Sequence, residues 1–258
     1  MEDRTALVTG AAGGIGEAVV RTLAERGVRV AALDVDTTRL SESVGRLRAE
    51  GLRVTGVSVD VTSSADVERA VPEAEETVGP LDYLVNAAGV LRLGEARKLT
   101  DEDWAETFRV NATGVFYMSR AVVNRMVPRR CGGAVVTVAS NAAGTARAEM
   151  AAYAASKAAV SAFTRCLGLE VAQFGIRCNL VAPGSTDTPM LHGMHDGDVA
   201  VRASVAGTPS AFRVGIPLGK VARPRDVADA VAFLLSDEAS HITLHSLTVD
   251  GGATLGVH

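Results

Sequence analysis

The chain has 258 residues, 47% of them hydrophobic and 22% charged, with 26 glycines and a net charge of −4. That is enough apolar material for a full core, and both signs of charge are scattered, which argues against a basic nucleic-acid or membrane-surface face. No apolar run reaches the roughly 18 residues of a membrane span, no secretory leader is expected at MEDRTALVTG, and Cys131, Cys166 and Cys178 form no CxxC pair, so a reduced cytoplasmic protein is expected.

Short β-branched runs alternate with helix-period stretches along the chain. Strands are predicted at TALVT (5–9), VRVAAL (28–33), VTGVSV (54–59), LDYLV (81–85), AVVTVA (134–139), IRCNLV (176–181) and SLTV (246–249). Helical patterns lie between them at 14–27, 38–51, 64–79, 104–127, 151–175 and 224–236. Several end on glycine (Gly27, Gly51, Gly79, Gly175), as left-handed caps prefer. Uncharged strands read as buried on both faces, and strict β-α alternation implies a doubly wound parallel sheet of about seven strands. No linker or repeat interrupts it, so residues 1–258 are expected to form a single Rossmann-type domain. The irregular stretch at about 189–219, rich in Gly, His, Asp, Ser and Pro, is expected to be a substrate lid or a disordered loop.

In such sheets ligands bind beyond the carboxyl ends of the strands, and the chemistry-bearing residues fall there. The first strand runs into a turn containing Gly10, Gly14, Ile15 and Gly16 and then a helix. Glycines let the backbone approach a pyrophosphate, and the helix N-terminus offers free N–H groups. Asp34 ends the second strand, where a carboxylate accepts from ribose hydroxyls and repels a 2′-phosphate. With no Lys or Arg in the glycine loop or at 35–38, NAD is favoured over NADP. Strand four ends in Asn86-Ala87-Ala88-Gly89, and strand five in Ser140.

Tyr153 and Lys157 lie four apart in an alanine-rich helix and therefore share a face. An ammonium beside a phenol is expected to lower the phenol's pKa from about 10, and a cationic nicotinamide would push the same way. Ser140 can hydrogen-bond the reacting oxygen. The histidines at 192, 195, 241 and 245, with Asp196 and Asp198, read as solvated loop residues, and no metal is expected. Trp104 and Phe108, also four apart, read as helix packing.

TGxxxGIG at 9–16, NAAG at 86–89, Asn111, Ser140, YxxSK at 153–157 and Asn179-x3-Pro183-Gly184 with Thr188 together resemble the short-chain dehydrogenase/reductases over essentially the whole chain. The resemblance implies a homotetramer and assigns Tyr153 as acid/base. It implies that Lys157 grips the nicotinamide ribose and tunes Tyr153, Ser140 orients substrate and Asn111 holds a water in the proton relay. Asp60 and Val61 would lie at the adenine, with Asn86, Ala87 and Gly89 along the dinucleotide. Pro183, Gly184, Thr186 and Thr188 would lie at the carboxamide, and Met190 on the substrate side.

The stretches LVNAAGVLRLG, GGAVVTVAS, GIRCNLVAPGSTDTPM, GIPLGKVARP and SHITLHSLTVDGGATLG carry a closer resemblance, to the 2,3-dihydro-2,3-dihydroxybenzoate dehydrogenases of catechol siderophore pathways. This implies NAD-dependent oxidation of a C3 hydroxyl followed by aromatisation. Asn141 stands where that subfamily carries an acid, and the lid differs. Trans-2,3-dihydro-3-hydroxyanthranilate, with an amine at C2 received by Glu149 and Asn141, is therefore an alternative substrate.

A carboxylate substrate calls for arginine's planar fork. Arg92 and Arg147 are the first candidates, with Arg202 and Arg213 next. A 3-oxoacyl or sugar-alcohol reductase of the same family would be expected to prefer NADPH, against Asp34. A non-catalytic NAD sensor has no need of Ser140, Tyr153 and Lys157.

Overall fold

A computed structural model describes residues 1–194 and 197–256. Seven strands, β1 (Thr5–Thr9), β2 (Arg29–Asp34), β3 (Val54–Ser58), β4 (Tyr83–Asn86), β5 (Gly133–Val138), β6 (Ile176–Pro183) and β7 (Ser246–Val249), form one sheet in the order β3-β2-β1-β4-β5-β6-β7. Every pairing is parallel. The strand order reverses between β1 and β4, and a crevice opens there beyond the strand ends.

The apolar strand interiors pack as expected of a sheet covered on both faces. Ala6, Val8, Val30, Ala32 and Val85 point into one core, against Val19 and Leu23 of helix α1 (Gly14–Glu25), Leu40 and Leu47 of α2 (Thr37–Ala49), and Val231 and Leu235 of the last helix (Pro224–Leu235). Their neighbours Leu7, Ala31, Leu33 and Leu84 point into the other, against Val67 and Val71 of α3 (Ser64–Val78) and residues of the helices that follow it. Period-two alternation therefore feeds two separate cores. Gly27, Gly51, Gly79 and Gly175 all take positive φ at or just past helix ends, as their positions implied.

The helical pattern at 104–127 is not one α-helix. Helix α4 begins earlier, at Asp101, because the Thr100 side chain accepts the Asp103 N–H at 3.1 Å, and it runs to Phe108. A π turn covers Arg109–Thr113, and α5 continues over Gly114–Met126. Trp104 and Phe108 stack at 4.7 Å, as helix packing predicts. Helix α6 (Ala151–Val171) buries a stripe of mostly small residues, Ala152, Ser156, Val160 and Thr164, which lets it lie close to the sheet.

The 189–219 stretch is not irregular throughout. It contains α7 (Pro189–His192) and α8 (Gly197–Ala206). The sequence VAVRASVA has no strong apolar period, but Ala200 and Ser204, one turn apart, are buried. His195 and Asp196 lie outside the described residues. Helix α9 (Pro224–Leu235) starts on a proline, which suits the first helical position. Among the described residues no helix is long and apolar enough to cross a membrane, and no group of His, Cys, Asp or Glu could hold a metal ion.

Candidate active site

Two cavities meet at the switch point. The wider, about 740 Å³, is lined by Gly10, Gly14, Ile15, Gly16, Asp34, Asp60, Val61, Ala87 and Gly89. The narrower, about 140 Å³, holds Ser140, Tyr153 and Lys157 together with Pro183, Gly184, Thr186 and Thr188. Met190, Thr188 and Ile15 belong to both walls. Most of the predicted site residues are therefore brought to one place.

The glycine turn is built for close approach. A Cβ on Gly16 would lie 1.9 Å from the Gly10 carbonyl oxygen, so no larger residue fits where the turn folds back on itself. Helix α1 has glycine at its N-cap and no side-chain cap, which leaves its first N–H groups open to the cleft. Asp34 is fixed across from them: its Oδ2 accepts the Ala12 N–H at 2.9 Å and its Oδ1 the Asp36 N–H at 3.0 Å. Glycine backbone, free helical N–H groups and an oriented carboxylate are a donor and acceptor set that fits a dinucleotide's pyrophosphate and ribose.

Two cations of this cleft, Arg39 and Arg109, are not among the residues expected from the sequence. Arg39 lines it, with its guanidinium 2.8 Å from where a Cβ on Gly13 would sit. Arg39 lies one residue past the 35–38 stretch that follows the second strand. The first turn of α2, capped by the Asp36 side chain on the Arg39 N–H at 3.0 Å, swings Arg39 back over the glycine loop.

Tyr153 and Lys157 are both buried on the α6 face that meets the strand ends. Lys157 Nζ donates to the Val138 carbonyl at 2.9 Å and lies 5.7 Å from the centre of the Tyr153 ring. That uses one of its three protons and leaves two for a ligand. Ser140 Oγ accepts the Ala142 N–H at 3.1 Å and is hydrogen-bonded to the Tyr153 side chain.

The expected lowering of the Tyr153 pKa is not found. Burial pushes the phenol's pKa up, opposed by the Ser140 hydrogen bond. Burial likewise pulls Lys157 down from 10.5 to about 8. Desolvation disfavours the charged form of each group and is the leading cause of both shifts.

Other expectations are corrected. Asn86 lies behind the cleft rather than in its wall, 2% exposed, donating to Ser119 Oγ at 3.0 Å. Asn111 sits in the π turn with both amide protons engaged, on the Val90 carbonyl at 2.9 Å and Ser156 Oγ at 3.1 Å, while its Oδ1 accepts the Val90 N–H at 2.8 Å. Its side chain therefore ties the chain after Gly89 to Tyr153's own helix. Arg92 points away from the narrow cavity and pairs with Glu106 at 2.9 Å. Glu149 and Arg202 are exposed and absent from that cavity's wall. Arg147 does line it, as does Arg213. Asn141 lines it too, its amide donating to Asp250 Oδ2 at 3.1 Å.

A doubly wound parallel sheet with this cleft and a buried tyrosine–lysine pair beside it is the architecture of a nicotinamide-dependent oxidoreductase. A family model described as enoyl-(acyl carrier protein) reductase matches residues 10–254. Similar proteins include the 2,3-dihydro-2,3-dihydroxybenzoate dehydrogenases of Bacillus subtilis (strain 168), 51% identical over 100% of this chain and 98% of the relative, and of Escherichia coli (strain K12), 43% identical over 96% of each. The crystal structure of an actinorhodin polyketide ketoreductase variant with NADPH superposes with a TM-score of 0.89, at 34% identity over 97% of each chain. The chain belongs to the short-chain dehydrogenase/reductase family.

Proposed function

We propose that the protein uses NAD to oxidise the C3 hydroxyl of trans-2,3-dihydro-2,3-dihydroxybenzoate, giving aromatic 2,3-dihydroxybenzoate. The observation that carries this reading is the small cationic cavity beside Ser140, Tyr153 and Lys157, in a chain 51% identical to a dehydrogenase named for that substrate. A volume of about 140 Å³ suits a single six-membered ring, since cavities of about 150 Å³ take benzene. Among the described residues its wall contains Arg147, Arg213 and Lys157 and no acidic side chain. That charge favours a carboxylate, and it favours a neutral hydroxyl at C2 over the ammonium of the anthranilate alternative.

In this reading Tyr153 takes the C3 hydroxyl proton as the hydride leaves carbon. Ser140 holds the same oxygen in place and stabilises the phenolate. At neutral pH the ionised fraction of Tyr153 is small, but the same burial makes its phenolate a stronger base. Lys157 reaches from α6 to the end of β5 and lines the narrow cavity, where two of its protons remain for a cofactor ribose. When bound, the dinucleotide supplies the hydride acceptor. Loss of the C3 hydride and hydroxyl proton leaves a ring ketone, which tautomerises to the aromatic product and makes the whole oxidation downhill. The protein need only align C3 and provide the base.

The remaining assignments belong to the same proposal. One Rossmann-type domain spans residues 1–258, with 189–219 as its lid, and the lid's contribution of Met190, Leu191, Met194, Ser204, Val214 and Ile216 to the cavity wall supports this. The protein works as a cytoplasmic homotetramer, as the family resemblance implies.

The test is direct. The protein is incubated with NAD and either cyclohexadiene acid, and the product's aromatic absorbance is followed. Turnover of the 2-hydroxy acid at a kcat/KM well above that of the 2-amino acid is expected. A reversed ranking overturns the substrate assignment.

The dinucleotide choice is tested separately. The Asp34 carboxylate would face a 2′-phosphate, and forcing like charges together costs several kcal/mol, so a preference for NAD of at least about 100-fold is expected. Asp34→Ala is expected to admit NADP because Arg39 is already in the cleft, and adding Arg39→Ala is expected to remove that gain. Equal use of both dinucleotides by the unmodified protein would discard the ribose argument.

A further inference from the structure

The narrow cavity contains an electrostatic problem that the chain does not solve by itself. Arg147 and Arg213 are both half-buried, and both line the wall that holds Ser140 and Tyr153. Among the described residues neither guanidinium makes an ion pair or hydrogen bond. Arg21, Arg46, Arg69, Arg92, Arg125 and Arg225, by contrast, each reach a carboxylate. Burial disfavours the Arg147 charge, and the neighbouring Arg213 charge disfavours it further. Asp250 gives only partial relief. Its carboxylate is already held by Asn141 at 3.1 Å, the Thr254 hydroxyl at 2.8 Å and the Gly252 N–H at 2.9 Å.

The two arginines come from different parts of the fold. Arg147 lies between the end of β5 and the start of α6, on the same short connection as Ser140. Arg213 belongs to the lid, in a small loop closed by a reciprocal bridge. The Thr208 N–H donates to the Arg213 carbonyl at 2.9 Å, and the Arg213 N–H donates back at 3.1 Å. Phe212 within that loop takes a left-handed φ of 54° and is 96% exposed. That conformation is unfavourable for a bulky residue, and it leaves the ring outside while Arg213 faces the cavity.

We propose that Arg147 and Arg213 form a split clamp for the substrate carboxylate, one arm fixed beside the catalytic serine and the other carried by the lid. The inference rests on the proposed function for the identity of the acid. A carboxylate between the guanidiniums accepts from both and cancels their repulsion, so the anion itself holds the lid loop against the floor. Affinity, rather than the hydride step, is what the lid arginine controls.

The experiment uses the full chain with 2,3-dihydroxybenzoate and catechol, which differ only in the carboxylate, titrated calorimetrically. Charge-assisted hydrogen bonds of the strength usual at such sites make Arg213→Ala lose about 10- to 100-fold in affinity for the acid. Affinity for catechol is expected to stay unchanged, and Arg213→Lys to recover part of the loss. In turnover, KM is expected to rise with kcat little altered. If Arg213→Ala binds the acid as the unmodified protein does, the clamp is wrong, and turnover of the dihydro acid still stands. If the unmodified protein fails to oxidise the dihydro acid while the acid-over-catechol preference collapses in Arg213→Ala, the clamp stands and the assigned substrate falls.

Discussion

Replacing Tyr153 by phenylalanine is expected to reduce turnover by about 10³-fold while leaving dinucleotide affinity within a factor of a few. The substitution removes one oxygen, the atom hydrogen-bonded to the Ser140 side chain, and keeps the ring that fills the buried face of α6. The glycine turn and Asp34, which supply the donors and acceptors of the wide cleft, are carried by other elements. Single-turnover kinetics and a dinucleotide titration by fluorescence separate the two effects. A rate within tenfold of the unmodified protein would show that another group takes the proton. Equal loss of affinity and rate would mean that the hydroxyl serves binding instead.

Lys157→Met should separate function from stability in opposite directions. Lys157 is buried, and its pKa falls from 10.5 to about 8, so carrying its charge in the folded state at pH 7 costs about 3 kcal/mol. Methionine fills similar space without that charge. Loss of the bond to the Val138 carbonyl takes back about 1 kcal/mol. The variant is therefore expected to be more stable by about 2 kcal/mol at pH 7, and less active by at least about 10²-fold, because Tyr153 and the ribose side lose their cation. The pH dependence has a definite sign. Below pH 8 both folded and unfolded chains carry the proton and the penalty is constant. Between about 8 and 10.5 the folded protein has released a proton that the unfolded chain still binds, so wild-type stability rises with pH. The variant's advantage should shrink across that window in urea denaturation. A constant gap from pH 7 to 10 would show that Lys157 carries no burial penalty.

The strands and the identity of the site were legible because the signals are local. TALVT and AVVTVA are uncharged runs that only a doubly covered sheet accommodates, and Tyr153 and Lys157 share a face by helical spacing alone. What was not legible depends on tertiary neighbours. Arg92 sits three residues past the NAAG turn and looked free, but Glu106, fourteen residues on in α4, takes its guanidinium. Asn86 heads a motif that faces the cleft, yet its own side chain points behind it, toward Ser119. Arg39 lies in the first turn of α2, and only the geometry of that turn returns it to the glycine loop. The direction of the Tyr153 pKa shift is not visible in the sequence, because spacing reveals a charged neighbour but not the depth of burial. The lid helices were hidden because Ala200 and Ser204 are too small to mark an apolar stripe.

The π turn at Arg109–Thr113 sets an angle rather than a length. The Gly114 N–H reaches back to the Arg109 carbonyl, one residue further than in an α-helix, which rotates everything beyond it by about 100°. A continuous rod can thus show one flank to solvent at Trp104 and another to the sheet at Met118 and Val122, while Asn111 at the twist couples Val90 to Ser156. Removing a single residue from this stretch would leave an intact, straighter helix whose azimuth is wrong for the tyrosine's neighbourhood. Insertions and deletions here are filtered by rotation, not by reach.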